Sequence, residues 1–155
     1  MTPPTTPGIP AAQADLLRRC YEIFDTQDVE AFTRAHFHPD VEWPNVAEGT
    51  RLHGIDAVLA YWRAQFAVGH PLVRLEGMTR DPDGRIRAQV RPGAQDVNGD
   101  DRWAERTVQH LYTFHDGKVA RREVREGEGQ SQERTQGYLR DGLGDIPGSF
   151  RQRAR

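Results

Sequence analysis

Cysteine is almost missing from this chain. Cys20 stands alone among 155 residues, which excludes an internal disulfide and any cysteine-built metal cluster. Lysine is as scarce: of 21 basic residues, all but Lys118 are arginine. Long hydrophobic runs are lacking too. The longest, residues 57–62, falls far short of the roughly 20 apolar residues that a bilayer span requires. No surplus of positive charge exists either, because 23 acidic residues answer the 21 basic ones for a formal net charge of −2. A nucleic-acid partner would call for a basic stripe. Here the arginines alternate with apolar residues, as in Arg85-Ile-Arg-Ala-Gln-Val-Arg91, the pattern of one solvated strand face. There is no Gly-x-Gly-x-x-Gly, no Gly-x-Ser-x-Gly and no P-loop, so nucleotide binding and α/β-hydrolase chemistry have no support. Residues 1–10 hold four prolines and lack the charged and apolar segments of a signal peptide, so the expectation is a soluble, cytoplasmic protein.

What is present reads as one domain with polar ends. Residues 1–10 show no periodicity and are expected to form a disordered tail. Leu17, Cys20, Tyr21 and Phe24 recur at helical spacing, predicting a first helix from Ala11. Asp28 is placed to cap a second, with Val29, Phe32 and His36 on one side. The proline of His38-Pro39-Asp40 is expected to end it, leaving residues 41–43 as a short strand and a loop through Asn45, Glu48 and Gly49. Ile55, Val58, Leu59, Trp62 and Phe66 predict a third helix. After Gly69 the pattern turns to strands at 72–79, 85–91, 103–115 and 118–125. Their punctuation is Asp81-Pro-Asp-Gly84, a loop over 92–101 and Asp116-Gly117. Residues 127–155 are poor in apolar side chains and read as a polar arm. Helices first and antiparallel strands afterwards predict an α+β fold, with three helices on one face of a curved sheet around a cone-shaped hollow.

Four segments carry a resemblance to a known family. They are Tyr21-Glu-Ile-Phe-Asp-Thr-Gln-Asp28, His38-Pro-Asp-Val-Glu-Trp43, His53-Gly-Ile-Asp-Ala-Val58 with Tyr61-Trp62, and Leu111-Tyr-Thr-Phe-His-Asp-Gly-Lys-Val119. In this order and spacing they resemble the SnoaL-like branch of the nuclear transport factor 2-like superfamily over about residues 12–126. The resemblance implies a cone-shaped α+β barrel, a homodimer through the outer sheet face and a small apolar ligand. It does not imply one activity, since related proteins include cyclases, isomerases, dehydratases, epoxide hydrolases and transport factors. The ketosteroid-isomerase pattern departs at three points. Trp43 stands where that pattern puts the carboxylate base, Cys20 where it puts a tyrosine, and His110 where it puts its second acid. Asp25 falls where scytalone-type dehydratases carry an acid.

The candidate chemistry therefore centres on His110. With Val108, Tyr112 and Phe114 it shares one strand face, and on a concave face the imidazole would serve as acid or base. Tyr112 and Asp25 are the candidates to polarise or orient it. Asp25 has a second reading as a helix cap. Tyr21, Phe24, Trp43 and Trp62 are candidate ligand-binding residues or plain core, and Arg122 is a candidate anion partner because it alternates with Ala120 and Val124. Cys20 reads as an inert core residue. His36 and His38 do not share a face, so neither a metal nor another cofactor is expected. Thr107, Gln109, Leu111 and Thr113 would face outward, toward a second copy.

Overall fold

The computed structural model describes residues 8–46 and 48–126, and both the residue 127–155 arm and most of the residue 1–10 tail lie outside them. Helix α1 (Ala11–Thr26) begins directly after Pro10 and buries Ala14, Leu17, Cys20 and Tyr21 on one face. Ile9, expected in a disordered tail, is instead buried in the core, because an isoleucine just ahead of the helix can reach the apolar layer that α1 covers. α1 ends at Gln27, whose left-handed backbone (φ 67°) returns its N–H to the carbonyl of Phe24. The short α2 (Glu30–His36) starts from Val29 with no side-chain cap. Asp28 does not cap it. Its own N–H donates to the Thr26 hydroxyl, so this turn is closed by Thr26 instead.

Strand β1 (Phe37–Asn45) starts four residues earlier than expected. It pairs in parallel with β7 (Lys118–Glu126) at Phe37 and again at Glu42, with an irregularity between them. Pro39 sits in that irregular stretch, where no ladder N–H is demanded of it. Phe37, Val41 and Trp43 alternate inward and are almost wholly buried. β2 (Thr50–His53) occupies part of the expected loop and pairs antiparallel with the end of β1. Gly54 then leads into α3 (Ile55–Val68), which buries Val58, Leu59 and Trp62.

The remaining strands are β3 (His70–Arg80), β4 (Ile86–Gln95), β5 (Asp101–Trp103) and β6 (Val108–His115). The sheet order is β2-β1-β7-β6-β4-β3, with β5 added to β4. Every pairing is antiparallel except β1 with β7. The predicted loop over 92–101 is mostly strand, because β4 runs on to Gln95 and β5 folds back on it. Gly93 permits this: a Cβ there would lie 2.6 Å from both the Arg102 carbonyl and the Trp103 ring. β4 thereby serves two partners on one side, β6 at residues 86–90 and β5 at 93–95, and the single strand expected over 103–115 is split between them.

Three helices thus cover a curved, mainly antiparallel sheet in a cone-shaped α+β fold. Burying each large apolar side chain between them contributes about 1.5–3 kcal/mol. The outer face differs from expectation in one respect. Leu111 is only 1% exposed. Its cross-strand neighbours Arg87 and Glu123 take part in ion pairs with Asp81 and Arg85 that run over that face.

Candidate functional site

Inside the cone lies a cavity with an empty volume of about 740 Å3, open mouth included. The hollow itself, apart from that mouth, is narrow. Its walls are mostly apolar, as small-ligand sites generally are. α1 contributes Cys20, Tyr21 and Phe24, β1 contributes Trp43, and α3 contributes Tyr61, Trp62 and Gln65. The sheet side supplies Val108, His110 and Tyr112 from β6 with Arg122 and Val124 from β7. Register explains that last group: Tyr112 opposes Arg122 and His110 opposes Val124, so all four side chains point the same way.

His110 is 6% exposed and accepts a contact that only the folded chain can make. Its Nδ1 lies 2.8 Å from the Tyr21 hydroxyl and 3.4 Å from Nη1 of Arg122. A guanidinium can only donate, so Nδ1 is the acceptor and the imidazole proton resides on Nε2. The single proton of Tyr21 is then committed to Nδ1. Tyr112, whose hydroxyl is 2.6 Å from that of Tyr21, must donate to it. The result is a directed chain, Tyr112 to Tyr21 to His110. Among the described residues Nε2 of His110 has no hydrogen-bond partner.

Electrostatics holds these groups neutral. Burial, and then the Arg122 charge, keep the His110 imidazole well below its ordinary pKa. Burial lifts Tyr112 to about 12 and Tyr21 well above the usual phenol range. Burial likewise pushes the Cys20 thiol up to about 12, so it is an un-ionised wall residue. Arg122 stacks over Trp43, its guanidinium carbon 3.9 Å from the ring centroid. Trp43 in turn packs against Phe37, Trp62 and Tyr112.

Asp25 stands apart from this group. One carboxylate oxygen accepts the Val73 N–H at 3.1 Å, and its backbone carbonyl faces His70 Nε2 at 3.0 Å. It belongs to a shallow groove between α1 and β3, with Arg18 and Glu22, and does not line the cavity. Burial raises its pKa, with the Val73 bond opposing. It neither orients His110 nor caps α2; it ties α1 to β3. The orienting contact to His110 comes from Tyr21, a side chain that helical spacing alone could not separate from core. Tyr61, named in the sequence only as part of a family motif, and Gln65, which no pattern distinguished, also line the cavity.

The histidines of the metal reading do not converge as a pair. His36 packs on Phe32, whereas His38 lies beside His115. His38, His115 and Asp116 bring ligating atoms within 4.8 Å of one another, at the exposed end of the β6–β7 hairpin and away from the cavity.

A family model described as the SnoaL-like domain matches residues 17–122. Solved structures share the fold. A polyketide cyclase-like protein from Xanthomonas campestris pv. campestris is 20% identical, with a TM-score of 0.61 over 73% of this chain and 88% of its own. An NTF2-like protein of unknown function from Burkholderia pseudomallei is 22% identical, with a TM-score of 0.61 over 76% and 92%. TerC, crystallised with polyporic acid, is 18% identical, with a TM-score of 0.61 over 76% and 92%. A search of curated proteins finds no match by sequence.

Proposed function

As the chain belongs to the SnoaL-like domain family, matched over residues 17–122, we propose that its cavity binds an apolar, oxygenated, ring-bearing compound and moves a proton on it without a cofactor. Cyclisation, isomerisation or dehydration would each need that step. The observation that carries this reading is the hydrogen-bond chain from Tyr112 through Tyr21 to His110, ending beside an apolar hollow. The co-crystallisation of the similarly folded TerC with polyporic acid supports a cyclic ligand.

The chemistry follows from the direction of the chain. His110 Nε2–H donates to a ligand carbonyl oxygen. As that proton passes to the oxygen, Nδ1 takes the Tyr21 proton and Tyr21 takes that of Tyr112. The imidazole stays neutral throughout, and the negative charge comes to rest on Tyr112 beside Arg122. From there the phenolate can receive a proton from a ligand carbon. A carbonyl oxygen is too weak a base to be protonated by itself, so loss of the carbon proton to Tyr112 must accompany the transfer from His110. In this reading His110 keeps the acid/base role, and Tyr112, expected to polarise or orient it, serves as the carbon base. Tyr21 takes the orienting place expected of Asp25, and Phe24, Trp43 and Trp62 hold the ring.

The test is His110→Gln, assayed on cyclic ketones and quinones that wild type converts. Turnover should vanish while the melting temperature stays within a few degrees. Retained turnover overturns the assignment. A second reading, a non-catalytic binding module, is favoured by one observation: no Asp or Glu among the described residues lines the cavity to serve as a strong base. Ligand binding by wild type with no product from any bound compound would select it. A cytoplasmic homodimer through the outer sheet face completes the proposal.

A further inference from the structure

The charge inside the cavity is not balanced by anything the protein brings to it. Arg122 is the cationic side chain of the wall, and no carboxylate accompanies it among the described lining residues. Its neighbours on β7 differ in charge pairing: Arg121 and Arg125 both lie within ion-pair distance of Glu123 on the opposite face, although Arg121 Nε also lacks an aligned acceptor. Arg122 has only aromatic and neutral company, being stacked on Trp43 and set 3.4 Å from His110 Nδ1. The other polar wall groups are all neutral at pH 7, since Tyr21, Tyr112, Tyr61 and Cys20 are raised and His110 is lowered by burial.

The hydrogen-bond inventory points the same way. Two buried donors at this spot have no acceptor, Arg122 Nε and Trp43 Nε1. His110 Nε2–H, which is not wholly buried, also has no acceptor among the described residues. Buried donors in folded proteins are nearly always satisfied, so orphans clustered about a cavity are best explained by an unfilled acceptor. Both of the orphaned buried atoms here are donors, and one belongs to a fixed positive charge. A neutral ligand would leave that charge uncompensated. A ligand oxyanion would balance the charge and supply acceptor lone pairs at once.

Resting on the reading of this cavity as the ligand site, we infer that it selects an anion. The ligand class is a ring-bearing acid whose carboxylate or acidic enol oxygen lies against the Arg122 guanidinium and the Trp43 indole N–H. Phe24 and Trp62, set edge to face, form the apolar wall for the ring.

Calorimetry on the full chain with matched probes tests this. The anions are 2-naphthoate and 2-hydroxy-1,4-naphthoquinone, the neutral counterparts 2-naphthamide and 1,4-naphthoquinone. At least one anion should bind ten-fold or more tightly than its counterpart, and which anion does so separates carboxylate from enol. Arg122→Met should reduce anion affinity at least ten-fold and leave 2-naphthamide within three-fold. Its melting temperature without ligand should stay within a few degrees of wild type, because a half-buried cation with no carboxylate partner among the described residues has been replaced by an apolar side chain. Arg122→Lys, which keeps the charge but not the planar fork, should fall between. Equal affinity for anion and amide in wild type overturns the inference, as does an equal loss of both in Arg122→Met. Binding of neither anion overturns it too. Should Arg122→Met fail to fold, the wild-type ratio decides alone. These affinities are independent of turnover, so their failure is distinguishable from survival of activity in His110→Gln.

Discussion

His110 is an imidazole kept neutral inside a wall of aromatic rings, and that placement has a consequence for stability. Its folded pKa lies well below the ordinary value of about 6.5. Below pH 6.5 the unfolded chain therefore binds a proton that the folded chain refuses. Stability from this group is complete above pH 6.5 and is lost as pH falls toward the folded pKa, by up to about 1.4 kcal/mol per pH unit. Denaturant unfolding of wild type and His110→Gln between pH 7 and pH 5 should show a shallower decline in the variant, by about that slope. Parallel curves would mean that His110 titrates normally. The position of His110, its strand and its inward face were all legible in sequence from the alternation with Val108 and Tyr112. Its partner was not. Tyr21 shares the stripe of Leu17, Cys20 and Phe24, and only the packing of α1 onto the sheet sets its hydroxyl 2.8 Å from Nδ1.

At the level of elements, the expected helices and most strands formed where periodicity placed them, and the departures cluster where pairing overrides local signals. The loop expected over 92–101 contains Pro92, Gly93, Asn98 and Gly99, each a loop former by itself. It becomes a hairpin because Gly93 lets the backbone of Arg102 approach closely and because Asp96 accepts the N–H groups of Asn98 and Asp100. Gly93→Ala should consequently destabilise the fold. The added methyl meets a backbone carbonyl at 2.6 Å, which cannot move cheaply, and overpacking of this kind costs about 1–3 kcal/mol. A melting temperature equal to wild type would show that β5 is dispensable or free to shift. Asp25 illustrates the same principle at a side chain. An acid at the end of a helix has several local uses, and the one realised depends on the Val73 N–H of β3, 48 residues away.

For the molecule as a whole, the outer sheet face is where association would occur, and its character is polar. Leu111 is covered, and the neighbouring arginines are held by Asp81 and Glu123. Among the described residues the large hydrophobic side chains left exposed are Val68 and Val97, neither of them on that face. A homodimer built there would rest on charged and polar contacts and should weaken as salt screens them. Sedimentation at micromolar concentration should give twice 17.6 kDa at low salt and a lower mean mass at high salt. A mass of 17.6 kDa at all salt concentrations would make the protein a monomer. No helix among the described residues is long and apolar enough to cross a membrane.

Periodicity, turn residues and four short motifs sufficed to indicate from sequence the α+β class, the three helices, every strand but β2 and β5, and the inward faces of α1, α3, β6 and β7. These are local properties, written in spacings of two and of three to four residues. The constellation in the cavity was decided only in three dimensions. Tyr21, Trp43, His110 and Arg122 come from four elements spread over 102 positions, and whether each is core, cap or ligand contact depends on distances that no spacing encodes. Sequence singled out His110 and Arg122 as chemically able. Burial made the first a neutral donor, and the missing carboxylate made the second an unanswered charge.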